Sequence, residues 1–301
     1  MNILITGGTG FIGSALTKTL IKQGETVTVL SRNPSQVASI CGEQVKALGS
    51  LHELKPDDSF DVIINLAGAG IFDARWTQAR KQLLRDSRIG LTQQLFSAIE
   101  QMAVKPELLI SGSAIGFYGN QADTPLTEQS TPITDFSQKL CADWENAALQ
   151  AQDLGVRVCV IRTGLVLAKG GGLMQRMLLP FKLGLGGRLG DGLQWMSWIH
   201  REDWIKIALT MMADKTMSGA YNATAPNPVT NREFTQTLAR CLKRPALLPM
   251  PSGVLQVLLG EMAELVLGSQ RVLPERLLAQ GFQFEYLQLE KALQQILVSS
   301  D

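Results

Sequence analysis

The sequence has only two histidines, His52 and His200, and four cysteines, Cys41, Cys141, Cys159 and Cys241, in 301 residues. The cysteines lie far apart and no C-x-x-C occurs, which argues against a zinc site or a disulfide framework and fits a reducing compartment. So few histidines leave no His-rich metal centre, and no metal is expected. Charge of one sign is also missing. The formal net charge is +1 and no run of five basic residues occurs, so there is no electrostatic case for nucleic acid or an anionic membrane surface as partner. No stretch approaches 18 unbroken apolar residues. The nearest, 254–267, is interrupted by Gln256, Glu261 and Glu264, so no transmembrane span is expected. The apolar start at 2–5 breaks at Thr6-Gly7-Gly8 with no basic segment before it. No signal peptide is read there, and the expected location is cytoplasmic. Tyrosine is scarce as well, with Tyr118, Tyr221 and Tyr286 the full set.

What is present is alternation. Short apolar runs rich in β-branched residues at 2–6, 26–30, 61–66, 108–111 and 157–162 read as strands. Helical periodicity at 13–23, 76–103 and 137–153 separates several of them. This order predicts an α/β fold, a doubly wound parallel sheet with helices on both faces. After residue 167 the texture changes to glycine-rich loop, then helical patterns at 203–212, 231–242 and 253–267 punctuated by proline. The expected organisation is a nucleotide-binding domain over 1–167, with 195–225 returning to it. A smaller C-terminal α+β substrate lobe is expected from 168–194 and 226–301.

The most informative segment is Thr6-Gly7-Gly8-Thr9-Gly10-Phe11-Ile12-Gly13, between the first strand and the first helix. Such a turn aims backbone N–H groups and a helix N-terminus at an anion. Gly7 permits the tight turn, Gly10 lets a pyrophosphate approach, and Gly13 lets the helix pack closely. The contacts expected from this loop are Gly7, Thr9, Gly10, Phe11, Ile12 and Gly13. The second strand ends in Ser31-Arg32. A carboxylate there would hold a ribose diol and repel a 2′-phosphate, whereas neutral Ser31 and cationic Arg32 favour NADP(H). A solvated Arg after a strand is the plainer alternative. Leu66-Ala67-Gly68 stands at a further strand end.

The spacing Gly7-x-x-Gly10-x-x-Gly13 resembles that of the short-chain dehydrogenase/reductase superfamily, in its extended, epimerase-like branch. That resemblance implies a Rossmann-type domain in which Leu66-Ala67-Gly68 borders the cofactor. It also implies that Ser111-Gly112-Ser113 carries cofactor contacts at Ser111 and Gly112 and a catalytic hydroxyl at Ser113, followed by a Tyr-Gly element at Tyr118. Superfamily reductases pair Tyr with Lys four residues later. Here Lys139 holds the Lys position and Asp135 the Tyr position. An ordinary Asp is ionised at neutral pH, so either another group does the acid work, or the reaction differs, or catalysis is lost. The candidates are Ser113, Tyr118, Asp135 with a raised pKa, or water; Lys139 also reads as a plain exposed helical lysine. Arg88 stands where the family helix has Asn, and can grip cofactor phosphate or an anionic substrate, or form a surface ion pair.

Ser31-Arg32, Arg75-Trp76, Ser87-Arg88, Leu140 to Glu145 and Arg162-Thr163-Gly164 together resemble one atypical group. It is called "epimerase family protein" and carries a C-terminal domain of unknown function. Trp198-Ile199-His200-Arg201-Glu202-Asp203 resembles the segment that closes the cleft in the extended branch; His200 reads as a cleft residue or a structural one, and Asp203 as a helix N-cap. Residues 281–284 are expected to form a strand on the core. The resemblance implies an NADP(H)-dependent oxidoreductase of a small carbonyl or alcohol. The alternatives are a nucleotide-sugar epimerase or dehydratase-like enzyme and a non-catalytic NADP(H)-sensing protein linked to cell division. Its partners would be a small-molecule substrate and a second copy of the chain, as relatives dimerise through helices like those at 76–103 and 137–153. Trp195, Trp198, Met174, Met177 and Met196 read as an apolar wall of the substrate lobe or as its core.

Overall fold

The computed structural model describes residues 1–298. Seven strands form its main sheet: β1 (Asn2–Thr6), β2 (Thr26–Leu30), β3 (Lys46–Leu48), β4 (Val62–Asn65), β5 (Leu108–Ala114), β6 (Arg157–Thr163) and β7 (Gly219–Ala223). Every pairing is parallel and the spatial order is β7-β6-β5-β4-β1-β2-β3. The strands are mostly apolar because both faces are covered, with polar residues gathered toward the ends of β1, β5 and β6. Ile3 and Ile5 face Leu16 and Leu20 of α1 (Gly13–Lys22), Val37 of α2 (Val37–Cys41) and Trp204 of α7 (Arg201–Ala213). Leu4, between them, faces the opposite layer, where Leu95 and Ile99 of α4 (Leu91–Gln101) and Ala148 of α5 (Phe136–Leu149) lie. The period of two along each strand sorts these residues to the two layers.

The long helical stretch read at 76–103 is α3 (Gln78–Arg85), a π-helical turn at Asp86–Gly90, and α4. Thr77 starts it, its side chain accepting from Arg80 N at 3.2 Å. The π turn inserts one extra residue and shifts the helix phase, a feature common at functional sites. Asp135 starts α5 in the same way, its Oδ1 accepting from Gln138 N at 2.7 Å.

A second core forms from Met174 and Phe181 of α6 (Gly172–Lys182), Phe234 and Leu238 of α8 (Asn231–Leu242), and Leu293 of the helix Leu289–Val298. The single helix expected at 253–267 is broken. Gly260, at φ +60°, ends α9 (Ser252–Leu259) and a turn leads to a short helix Glu264–Leu267. Only glycine takes that backbone conformation without strain. The strand expected at 281–284 is irregular chain. Phe282 and Phe284 meet edge to face at 4.8 Å and, with Leu277, join the core of the sheet layer. This part of the C-terminal segment therefore packs on the sheet layer, outside the second core.

Asp203 is not an N-cap. His200 caps α7, its Nδ1 accepting from Glu202 N at 3.3 Å, while the Asp203 carboxylate accepts from Glu285 N at 2.8 Å and Tyr286 N at 3.0 Å. His200 is buried, its ring 3.8 Å from that of Tyr286, and its Nε2 pairs with Gln295 Oε1 at 3.0 Å. With Nδ1 as acceptor, Nε2 carries the proton and the ring is neutral. Burial lowers its pKa against the opposing pull of Glu202. The unfolded chain, with its histidine near pKa 6.5, then takes up this proton first as pH falls. The site's contribution to stability is full above that value and is lost below it, with a slope of at most about 1.4 kcal/mol per pH unit. Urea midpoints from pH 8 to 5 should fall more steeply for the natural chain than for His200→Gln; parallel curves would contradict the assignment.

Candidate functional site

The order of the sheet reverses between β1 and β4, and ligands of such sheets bind beyond the strand ends at that point. A cavity of about 490 Å³ lies there, lined by the loops after β1, β2, β3 and β4 and by Asp86 and Ser87 of the π turn. Its wall includes Gly7, Thr9 and Gly10, then Ser31 and Arg32, then Leu66, Ala67 and Gly68. Gly7 has φ +71°, and a Cβ there would meet Ala67 N at 2.8 Å. A Cβ on Gly13 would overlap the Gly7 carbonyl oxygen. The close packing expected of Gly13 is thus against the loop itself. The N-terminus of α1 has no side-chain cap, so its N–H dipoles remain for an anion. Arg32 is exposed and forms no ion pair among the described residues.

Several residues read as cofactor contacts are not among those lining this cavity. Phe11 turns toward the other lobe, against Gly171 and Gly172, with the Arg201 guanidinium 5.1 Å from its ring centroid. The Ile12 side chain packs into the sheet-layer core. Ser111 is fully buried, 3.4 Å from Asn65 Nδ2, in a polar cluster where Asn65 and Trp144 both bond Thr92. Gly112 lies under Trp144, whose ring a Cβ would meet at 3.0 Å. Arg88 is not a surface ion pair, nor does it line the cavity. It wedges behind Gly68, donating to Ala69 O at 3.0 Å and Leu84 O at 3.3 Å, with Trp144 at 5.4 Å. Burial lowers its pKa. Together with Ser87, which accepts from Ala69 N at 3.0 Å, it fixes the loop after β4.

The catalytic candidates are separated. Ser113 and Tyr118 belong to a buried network. Arg162 Nε and Nη2 grip Glu145 at 2.9 and 2.8 Å, Ser113 Oγ donates to Glu145 Oε1 at 2.6 Å, and Arg162 Nη1 donates to the Tyr118 hydroxyl at 3.0 Å. That hydroxyl donates to Asn222 Oδ1 at 2.6 Å. Tyr118 is fully buried, and burial pushes its pKa up to about 12 against Arg162. Lys139 is exposed on the outer side of α5, and its ammonium has no partner among the described residues. Asp135 does reach a cavity wall, as the cap of α5.

That wall belongs to a chamber between the ends of β5 and β6 and the C-terminal segments. Its two lobes, of about 410 and 220 Å³, share Phe72, Ile115, Leu165 and Leu265. Trp195, Met177 and Met196 line the smaller lobe, whereas Met174 and Trp198 are fully buried in the second core.

A model of the NAD dependent epimerase/dehydratase family matches residues 3–223. The chain belongs to that family. A model of a domain of unknown function, DUF1731, matches residues 250–296. The epimerase family protein YfhF of Bacillus subtilis is 40% identical over 301 residues, which cover 99% of this chain and 98% of that protein. The crystal structure of human epimerase family protein SDR39U1 (isoform 2), with NADPH, has a TM-score of 0.90 and 37% identity, over 98% of this chain and 99% of that one. A nucleoside-diphosphate sugar epimerase from Corynebacterium glutamicum has a TM-score of 0.79 and 32% identity, over 99% of this chain and 58% of that one.

In this epimerase-family chain, α5 presents Ser137, Leu140 and Cys141 to the chamber beside its cap Asp135, while Lys139 does not line it. Ser137 and Cys141 lie against Gly116, where a Cβ would come within 3.3 Å of Ser137 Cβ and 3.6 Å of Cys141 Sγ. Burial pushes the Cys141 thiol up to about 12, so it is no thiolate nucleophile. The Ser137 hydroxyl has no hydrogen-bond partner among the described residues. The Glu145–Arg162 network and the Ser137 hydroxyl are the parts that sequence reasoning missed. The signal for the second was available, because Leu140, Cys141, Trp144 and Ala148 mark the buried face of α5 and Ser137 falls on it.

Proposed function

We propose that the protein is an NADP(H)-dependent oxidoreductase acting on a small carbonyl or alcohol. The observation that carries this reading is Arg32, an unpaired cation beside neutral Ser31 at the wall of the strand-end cavity. A 2′-phosphate suits that pair, and a carboxylate that would repel it is missing. The Cβ-free approach at Gly7 and Gly13 and the uncapped N-terminus of α1 fit a pyrophosphate. The NADPH in the human relative's structure supports the same choice. When bound, the reduced cofactor supplies a hydride to the carbonyl carbon. The chain's part is to bind and orient the substrate and to handle the proton that its oxygen takes up. Ser137 serves there as hydrogen-bond donor to the substrate oxygen, and the proton comes from water. Ser113 and Tyr118 act behind it, fixing the ends of β5 and β6.

A second reading, a protein that senses NADP(H) without turnover, draws on one observation: both Ser113 and Tyr118 are committed to the buried network. Titration of the purified protein with NADPH and NADH, followed by nicotinamide fluorescence, tests the cofactor. NADPH should bind at least about tenfold more tightly, and Arg32→Ala should abolish the preference, since a charge-assisted hydrogen bond contributes about 1.5–3 kcal/mol. Equal affinity for both cofactors would overturn the assignment. NADPH consumption with a carbonyl panel then separates enzyme from sensor.

A further inference from the structure

We infer that the chamber takes an apolar carbonyl or alcohol, an alkyl or aryl chain without phosphate, and not a nucleotide sugar. The inference rests on the proposed oxidoreductase for the reaction and on the chamber alone for the substrate class. Of the six residues the two lobes share, Phe72, Ile115, Leu165 and Leu265 are apolar, Gly268 has no side chain and Gln270 is the one polar side chain; Leu173, Met177 and Phe181 continue the apolar wall into the smaller lobe.

Charge points the same way. A nucleoside diphosphate sugar brings a pyrophosphate with two negative charges, which needs cations or free N–H groups to leave water. Of the residues lining the two lobes, Arg176 is the one cation. It is already engaged at the rim, donating to Phe72 O at 3.1 Å and lying 3.7 Å from the Asp73 carboxylate. Asp135 and Glu264 line the larger lobe and add negative charge. Three wall amides already hold partners, while Gln194 Oε1 is a buried acceptor with none among the described residues. Gln270 Nε2 donates to Gly119 O at 3.0 Å, Gln194 Nε2 donates to Leu189 O at 3.1 Å and Val266 O at 3.0 Å, and Asn231 Oδ1 accepts from Leu189 N at 2.8 Å. These groups hold the wall together. An apolar chain asks this wall for no cation or free N–H group, and Ser137 meets its one polar end.

The reaction at this site balances simply. Hydride adds to the carbonyl carbon, the C=O π pair moves to oxygen, and oxygen takes one proton from water, giving the alcohol, the oxidised cofactor and a hydroxide that passes to solvent.

The test uses full-length protein saturated with NADP⁺, titrated by calorimetry with 2-pentanone, 2-heptanone and 2-nonanone, and with UDP and UDP-glucose. Trp195, in the wall of the smaller lobe, gives a second readout by fluorescence. Affinity should rise roughly fourfold per added methylene, the value of burying one CH₂, and UDP-glucose should neither bind nor displace the ketone. Leu265→Asp should flatten the chain-length dependence while leaving NADPH affinity unchanged. Leu165→Gln is the second variant should the first fail to fold. Affinity independent of chain length, no saturable ketone binding, or displacement by UDP-glucose would overturn the inference. Ketone binding without NADPH consumption upholds the substrate class and removes the oxidoreductase. NADPH consumption with a short polar carbonyl and no ketone binding does the reverse, and turnover of a sugar nucleotide overturns both.

Discussion

Gly13→Ala should weaken NADPH binding by about a hundredfold or more while the chain stays folded. The methyl group would overlap the Gly7 carbonyl oxygen. That oxygen cannot retreat freely, because Gly7 packs so closely on Leu66 and Ala67 that a Cβ on it would come within 2.8 Å of them, and the N–H···O bond from Gly10 to the Gly7 carbonyl closes the turn at 2.9 Å. The loop must open instead, and the N–H groups that would face the pyrophosphate lose their aim. Each charge-assisted hydrogen bond lost costs about 1.5–3 kcal/mol, so two account for the expected loss. Gly24→Ala is the matched control. Gly24 has positive φ, +82°, which Gly13 does not, and its Cβ would meet nothing within 4 Å. That variant should lose about 1 kcal/mol of stability through backbone strain and bind NADPH normally. Fluorescence titration of both, with circular dichroism to confirm folding, decides the matter. A Gly13→Ala chain that binds within threefold of the natural one would show that the cofactor lies elsewhere.

The strand-end loop was legible because its chemistry is local. A strand, three glycines at fixed spacing and a helix stand in consecutive positions, and their geometry follows from backbone sterics. The residues after β2 and β4 were legible for the same reason, each lying at the end of an apolar run. Position on a helix was harder to read. Asp135 and Lys139 have the i, i+4 spacing that a Tyr–Lys pair needs, but every residue on a helix has such a partner. Which pair faces the cleft depends on the face that packs on the sheet. Lys139 lies about half a turn from Cys141, on the opposite side of α5, and it is exposed. The π turn hid Arg88 in another way. One inserted residue shifts everything after it by about 100°, and the sequence Asp86-Ser87-Arg88-Ile89-Gly90 carries no mark of the insertion. The Ser113 network was hidden by distance. Glu145 and Arg162 are 17 positions apart on a helix and a strand, and each alone reads as a solvated charge.

That buried pair governs the second large effect. Both side chains are under one-tenth exposed, and Arg162 is held on three further sides, by Tyr118, by the Phe117 ring at 3.4 Å and by β6 itself. Glu145→Ala should therefore destabilise the fold by roughly 3–5 kcal/mol, since it leaves an uncompensated guanidinium in the interior. The double variant Glu145→Met with Arg162→Met should recover most of the loss, because a buried ion pair exchanged for apolar volume is near neutral in stability. Urea denaturation without cofactor measures both, with unchanged slope as the check that the transition is still two-state. A single variant that loses less than about 1 kcal/mol would mean the pair is solvated in solution. The double variant also separates structure from chemistry. If Ser113 and Tyr118 only anchor the strand ends, a refolded apolar pair keeps NADPH affinity and ketone binding. If either hydroxyl instead moves a proton, turnover falls in the double variant although stability and binding are restored, because both hydroxyls lose the charged partners that fix them.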